Sequence, residues 1–452
     1  MSGPRVYWNR MLLERSRRDI ILKLALPIIA GMLSQSVLNL VDAALVGSLG
    51  ETALAGVGIG GYAMFMITAL LFGLSSGVQA QTARRHGEAF DHRKAQALNA
   101  GLVIALAIAL PLTATCLWQA PRLLWLINQE QAVNAIAVEY FRWRIIGLLP
   151  VAMMFCFRGF WNGVQQTGVY LRIAMLMHGM NVLASLGLIF GHAGLPEMGP
   201  AGAGAGTLLS QCLGLALWAY HSGRRASHCG FLGCWPGRET LLTTLRLATP
   251  HSFQQFWFAA GYAVLFWILG QLDTASVAIG HVLVNLSLFL ILPGVGLGLA
   301  AMSLVGHAMG RDAMSEAHRW GWDVVRVAWG CLAVLALPMF LVPDQVLGLF
   351  LHDPDLVAMG RIPLKITAVM IVLDAAALVL GQALLGAGAN RTVMTMTLTM
   401  QWLLFLPLAW WVGIHLGHGL VGIWWVQLAY RCLNSTLFGV IWQRRRWQQV
   451  VI

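Results

Sequence analysis

Two carboxylates lie where an ionised side chain is hard to place. Asp42 and Asp374 stand deep within long apolar runs of a 452-residue chain. A charged side chain at mid-membrane costs about 2.5–3.5 kcal/mol on insertion scales, so each acid needs a role: binding a cation, carrying a proton, or holding a base. Gln35, Asn39 and Asp42 follow one another at i, i+4 and i+7 and share one helix face. Asn181 and Ser185 are again i and i+4, with His178 one turn earlier. Amide and hydroxyl oxygens can help an acid hold a cation, and a His near an Asp can relay a proton. A lone His in a span can equally be a packed hydrogen-bonder. Asp374 has Arg361 and Lys365 earlier on its own run, so it reads either as a second cation site or as an ion pair with Lys365. Met175, Met180 and Met370 belong to a chain with 20 Met and 19 Trp. Such lining adapts to varied ligands, and aromatic faces attract organic cations.

The elements that must position these groups are spanning helices. Hydrophobic residues make up 58% of the chain and charged residues 10%, against roughly 45–50% and 25% in soluble domains. Apolar windows predict twelve helices. Six fall near 20–45, 53–82, 95–118, 135–156, 166–190 and 201–220. Six more fall near 243–269, 276–306, 322–342, 357–385, 393–413 and 420–442. Pro27 can kink the first, about four turns before Asp42. Most of the 29 Lys and Arg fall at one end of these spans, which predicts that both termini are cytoplasmic. Five of the N-terminal residues are Arg5, Arg10, Arg15, Arg17 and Arg18, and the apolar run that follows is too long for a cleaved leader.

The halves repeat. Pro27 of LKLALP has a partner 223 residues later in Pro250 of LRLATP, and the same offset takes Gly73 to Gly296 and Gly163 to Gly386. The sequence therefore divides into a tail at 1–19, a lobe at 20–220, a Gly-rich cytoplasmic linker at 221–242, a second lobe at 243–442 and a tail at 443–452. The predicted fold class is an all-α polytopic membrane protein, its twelve helices in two pseudo-symmetric six-helix lobes around a central cavity.

Several functions are excluded. No HExxH, Walker loop or CxxC motif is present, and the GLSSG stretch at Gly73–Gly77 falls inside an apolar run and not at a strand-to-helix turn, so the chain is not read as an enzyme. The net charge of +11 sits in short clusters between spans, which orient a membrane protein and do not form a nucleic-acid footprint. His228, Cys229 and Cys234 cannot complete a tetrahedral zinc site alone, so no metal is expected.

The segments LALPIIAGMLSQSVLNLVDAALVGSLG, TARRHGE, FRGFWNGVQQTG, MNVLASLGLIFG and EMGPAGAGAGTLLSQ occur in that order. Together they resemble the multidrug and toxic compound extrusion (MATE) family, within the multidrug/oligosaccharidyl-lipid/polysaccharide flippase superfamily. The resemblance runs over essentially the whole chain. It implies two lobes in a V and export of organic cations in exchange for H⁺ or Na⁺. It matches Pro27 to the family's first-helix kink, Asp42 to its ion-binding acid and Asn181 to the fifth-helix Asn of that site. Ser185 stands where the family usually has a second acid. Asp374 precedes Gly386 by twelve residues, as does the tenth-helix acid of the NorM-like branch. That branch's seventh-helix Glu is missing from the region of Phe256, Trp257 and Phe258.

The resulting expectation is a secondary antiporter of the inner membrane. It would place Asp42, Asn181, Ser185 and Asp374 at cation or proton sites, and Pro27, Gln35, Asn39, His178, Met175, Met180 and Met370 at the cavity or gate. One carboxylate at the first site favours H⁺ over Na⁺, because hard-cation sites gain from charge count. No cofactor is expected beyond the coupling ion. The expected partners are small organic substrates and the bilayer, with no obligate protein partner and a monomeric chain. The alternative, a lipid-linked precursor flippase, would want a more cationic cavity than Arg142, Arg144, Lys365 and Arg431 supply.

Overall fold

Uninterrupted apolar sequence with no water to satisfy its backbone must close its hydrogen bonds within each segment, and a helix does so. The computed structural model describes residues 15–89, 93–233 and 235–450; Arg5, Arg10, Cys234 and the last two residues lie outside them. Among the described residues there is no strand. Among the described residues, nine helices are long and apolar enough to cross a membrane, or ten if one bent pair counts as a single span. That pair, Gln131–Ile146 and Leu148–Gly163, turns by 46° at Gly147 and forms the fourth span. Pro200–Arg225 and Gly419–Gln443 complete the predicted twelve; small residues in one and Trp, Gln and Asn in the other lower their hydropathy.

The first span, Arg15–Gly47, and the seventh, Arg238–Gly270, each carry a proline in mid-helix, Pro27 and Pro250. The second, Glu51–Gly87, passes through a non-helical turn at Leu70–Phe72 before resuming at Gly73. The third is Gln96–Trp125 and the fifth Gly168–Phe190. The eighth, ninth and tenth are Thr274–Gly310, Met314–Leu341 and Pro354–Gly386. In the eleventh, Asn390–His415, the helix widens to π geometry on both sides of Pro407, one way to accommodate a residue that lacks an N–H.

By packing, the described residues form two units. One is Ala30–Ala259; the other joins the described part of Met1–Ile29 to that of Ala260–Val451. The unit boundaries thus fall inside the first and seventh spans, beyond the proline of each, whereas the sequence repeat divides at the linker. Glycine contacts show why. A Cβ at Gly73 would collide with the carbonyl oxygen of Ala248 on the start of the seventh span, and one at its repeat partner Gly296 would come within 2.5 Å of Ile29 on the start of the first. Each second-position span of a repeat is packed closely, at a glycine, against the N-terminal part of the other repeat's first span. The repeat is also visible within the units. A Cβ at Gly163 would meet the carbonyl oxygen of Gln79, and one at Gly386 that of Met302, both pairs related by the same 223-residue offset.

The opening of the first span is fixed on its own unit by charge. Arg17 Nε donates to Asp323 Oδ2 at 2.6 Å, and its guanidinium lies 3.6 Å from the centre of the Trp320 ring. Arg326 holds the other carboxylate oxygen at 3.0 Å.

Candidate functional site

In the Ala30–Ala259 unit, the polar face read from the first span does form. Gln35 donates to Asn39 Oδ1 at 3.1 Å, and Gln35 Oε1 lies 3.2 Å from His178 Nε2 on the fifth span. Asp42 is half-buried one turn further on. Its Oδ1 is sealed from solvent with no hydrogen-bond partner among the described residues, a state that costs roughly 1–3 kcal/mol when nothing compensates it. His178 bonds to Gln35 and not to Asp42. The charge that acts on Asp42 comes from Arg144, on the fourth span, a neighbour with no signal in the sequence around either residue.

Asn181 and Ser185 are almost fully buried, but they face the sixth span. Asn181 Nδ2 donates to Thr207 Oγ1 at 3.1 Å and to Ser210 Oγ at 3.5 Å, while Ser185 Oγ donates to Asn181 Oδ1 at 3.5 Å. Gly206 leaves room for this, because a Cβ there would press on Ser185. The structure therefore joins Asn181 and Ser185 to each other and to Thr207 and Ser210, residues that the sequence reading did not single out. It makes no hydrogen bond from them to Asp42. Met175 and Met180, on the same fifth span, are exposed apolar side chains.

The second acid belongs to the other unit and is already engaged. Asp374, on the tenth span, lies 2.7 Å from Arg431 on the twelfth, and the two side chains are 2% and 7% exposed. The partner expected from the sequence, Lys365, is not used: its ammonium stands over the Phe340 ring at 5.9 Å, and Arg361 pairs with Asp344. The reason is helical geometry. Nine residues at about 100° each place Lys365 on roughly the opposite face of the helix from Asp374. Arg431 also donates to the Tyr262 hydroxyl at 3.3 Å, and its guanidinium lies 5.3 Å from the Tyr430 ring, which is itself stacked on Phe405 at 5.0 Å. Asp374 Oδ1 and Arg431 Nε remain sealed, without partners among the described residues. Met370, one turn before Asp374, is buried in the same unit. Pro27 sits two residues before the unit boundary in the first span.

The described residues are thus helical, with apolar spans in two related halves. The family model described as MatE matches residues 27–186 and 250–411; the two segments begin at the paired prolines. The chain belongs to the MatE family. It is 26% identical over 421 residues to "Multidrug resistance protein PmpM" of Pseudomonas aeruginosa, covering 92% of this chain and 88% of that one. It is 26% identical over 443 residues to "Probable multidrug resistance protein NorM" of Thermotoga maritima, covering 96% and 93%. Among solved structures it is similar to one described as the outward-facing conformation of a multidrug resistance MATE family transporter, with TM-score 0.88, 21% identity and coverage of 95% and 96%. It also resembles a MOP superfamily transporter from Pyrococcus furiosus described as having a binding pocket of reverse polarity, with TM-score 0.86, 20% identity and coverage of 96% and 97%.

Proposed function

We propose that the protein is a secondary antiporter that exports organic, often cationic, compounds in exchange for protons, with Asp42 as the coupling carboxylate. The observation that carries this reading is the Asp42 carboxylate itself: it lies on a polar face of the first span, and its Oδ1 has no hydrogen-bond partner among the described residues. An acid without a fixed partner is free to exchange one, a proton on one side of the membrane and a cationic substrate on the other. The names of the relatives, multidrug resistance proteins, support the substrate class. Protons are favoured over sodium because Na⁺ needs several oxygen ligands gathered round it, whereas the amide and hydroxyls of Asn181, Ser185, Thr207 and Ser210 are occupied with one another. Asn181 and Ser185 then hold the fifth span against the sixth, and Asp374 is neutralised by Arg431. Gln35, Asn39 and His178 form the polar wall leading to Asp42, and Pro27 lets the two parts of the first span move separately. The antiporter works as a monomer in the inner membrane, with both termini in the cytoplasm and no cofactor beyond the coupling ion.

Export of a fluorescent organic cation from proteoliposomes, under a pH or a Na⁺ gradient imposed separately, tests this. A pH gradient should drive export by the native protein and not by Asp42→Asn. Export driven by a Na⁺ gradient alone at fixed pH would refute proton coupling.

A further inference from the structure

A second concentration of charge lies away from Asp42, where the second, fourth and sixth spans end and the third begins. There a cavity of about 110 Å³ is lined by His86, Lys94, Arg225 and His228, with Trp161 and Gln166 in its wall and no carboxylate among its described lining residues. On a scale where one water needs about 10–15 Å³, this holds a compact polyatomic group. Arg225 and His228 make no hydrogen bond or ion pair among the described residues. A neighbouring cavity lined by Arg84, Arg85 and Arg246 is different, because Glu88 and Glu239 share its wall and offset its charge.

The pocket is framed from two directions. Ala95 N donates to Cys229 O at 3.1 Å, Asn99 Nδ2 to Gly230 O at 2.9 Å, and Leu232 N to Asn99 Oδ1 at 3.1 Å. These bonds fold the start of the linker onto the third span, next to the cavity that Arg225, His228 and Lys94 line. Phe231 is buried edge-on against Phe157 at 5.8 Å, and Trp161 Nε1 is held by Ser222 at 3.0 Å. The basic side chains thus project from a fixed frame and not from a loose surface.

We infer that this pocket binds a phosphate group. A guanidinium, an ammonium and two imidazoles around a compact cavity suit a tetrahedral oxyanion, which accepts charge-assisted hydrogen bonds on several sides. The nearest source is an anionic phospholipid. Basic pockets at the cytoplasmic ends of spans attract such headgroups, and Leu232 and Trp235, 75% and 79% exposed in the same linker, are side chains suited to the membrane interface.

The test uses the full-length protein. Its thermal midpoint is compared in nanodiscs of phosphatidylcholine with and without phosphatidylglycerol, and in detergent with and without inorganic phosphate. A midpoint raised by phosphatidylglycerol, with at least about half of the rise lost in Lys94→Gln/Arg225→Gln and retained in Arg224→Gln, supports a lipid phosphate. Arg224 is a control for net charge, because its guanidinium is turned to the Tyr220 hydroxyl at 2.9 Å. A rise with inorganic phosphate alone, lost in the same double variant, supports the pocket with a soluble source. Equal responses of the native protein and the double variant, or an equal loss in Arg224→Gln, overturn the inference.

Discussion

Replacing Arg431 by Met would leave Asp374 2% exposed with no counter-charge and with Oδ1 already lacking a partner. Breaking a buried pair by deleting one member typically costs about 3–5 kcal/mol, and little solvent screening reduces that figure at 7% and 2% exposure. The loss of the bond to Tyr262 adds about 0.5–1.5 kcal/mol. For a folding unit of roughly this size, each kcal/mol moves the midpoint by about 2–4 °C, so Arg431→Met should unfold at least roughly 6 °C below the native protein. The second variant, Asp374→Asn/Arg431→Met, removes both charges and should recover most of the loss, since an uncharged pair of similar volume is often neutral or better. Thermal unfolding of the native protein, both single variants and the double variant in one detergent gives the coupling directly. A single variant within about 2 °C of the native midpoint, or a double variant no better than Arg431→Met, would show that the pair is not the buried contact it is taken to be.

The same reasoning separates the two acids in transport: Asp374→Asn/Arg431→Met should keep pH-driven export, whereas Asp42→Asn should abolish it at unchanged expression, as proteoliposome efflux will show. Gly73→Ala should destabilise by about 1–3 kcal/mol through overpacking, because its Cβ runs into the Ala248 carbonyl, while Gly58→Ala, which meets nothing within 4 Å, should not; paired thermal melts decide. Arg17→Gln removes a charge-assisted bond to Asp323 and a stacked ring and should lower stability by about 1.5–3 kcal/mol, with faster proteolysis ahead of the first span. Ser185→Asp places a larger, charged group against Gly206 and should reduce folded yield on size-exclusion chromatography rather than create a second coupling acid.

The twelve spans were legible because length and apolarity are local properties, and the repeat because its register survives in the glycines. The polar face of Gln35, Asn39 and Asp42 was legible from helix periodicity for the same reason. Partners across helices were not. Arg431 is 57 residues from Asp374 and carries no local mark, although the wheel position of Lys365 already argued against the nearer base. Arg144 acts on Asp42 through charge alone, and only because the fourth span brings it into range. Asn181 and Ser185 were recognisable as a polar pair, yet which neighbouring span they face depends on helix rotation, fixed here by the space that Gly206 leaves.

The assignment of Arg15–Ile29 to the unit of the second repeat has a consequence for how the chain is made. These residues leave the ribosome well before their packing partner Gly296 and their ionic partner Asp323, which are synthesised some three hundred residues later. During all of that time the opening turns of the first span, with Arg17 and Arg18, have no native surface to rest on. A chain truncated after the first repeat would carry these turns unplaced and would also lack the seventh-span opening that covers Gly73. The two repeats therefore cannot mature as independent modules, and a quality-control protease would find its clearest target in an interrupted chain at its two ends, where each repeat waits for the other.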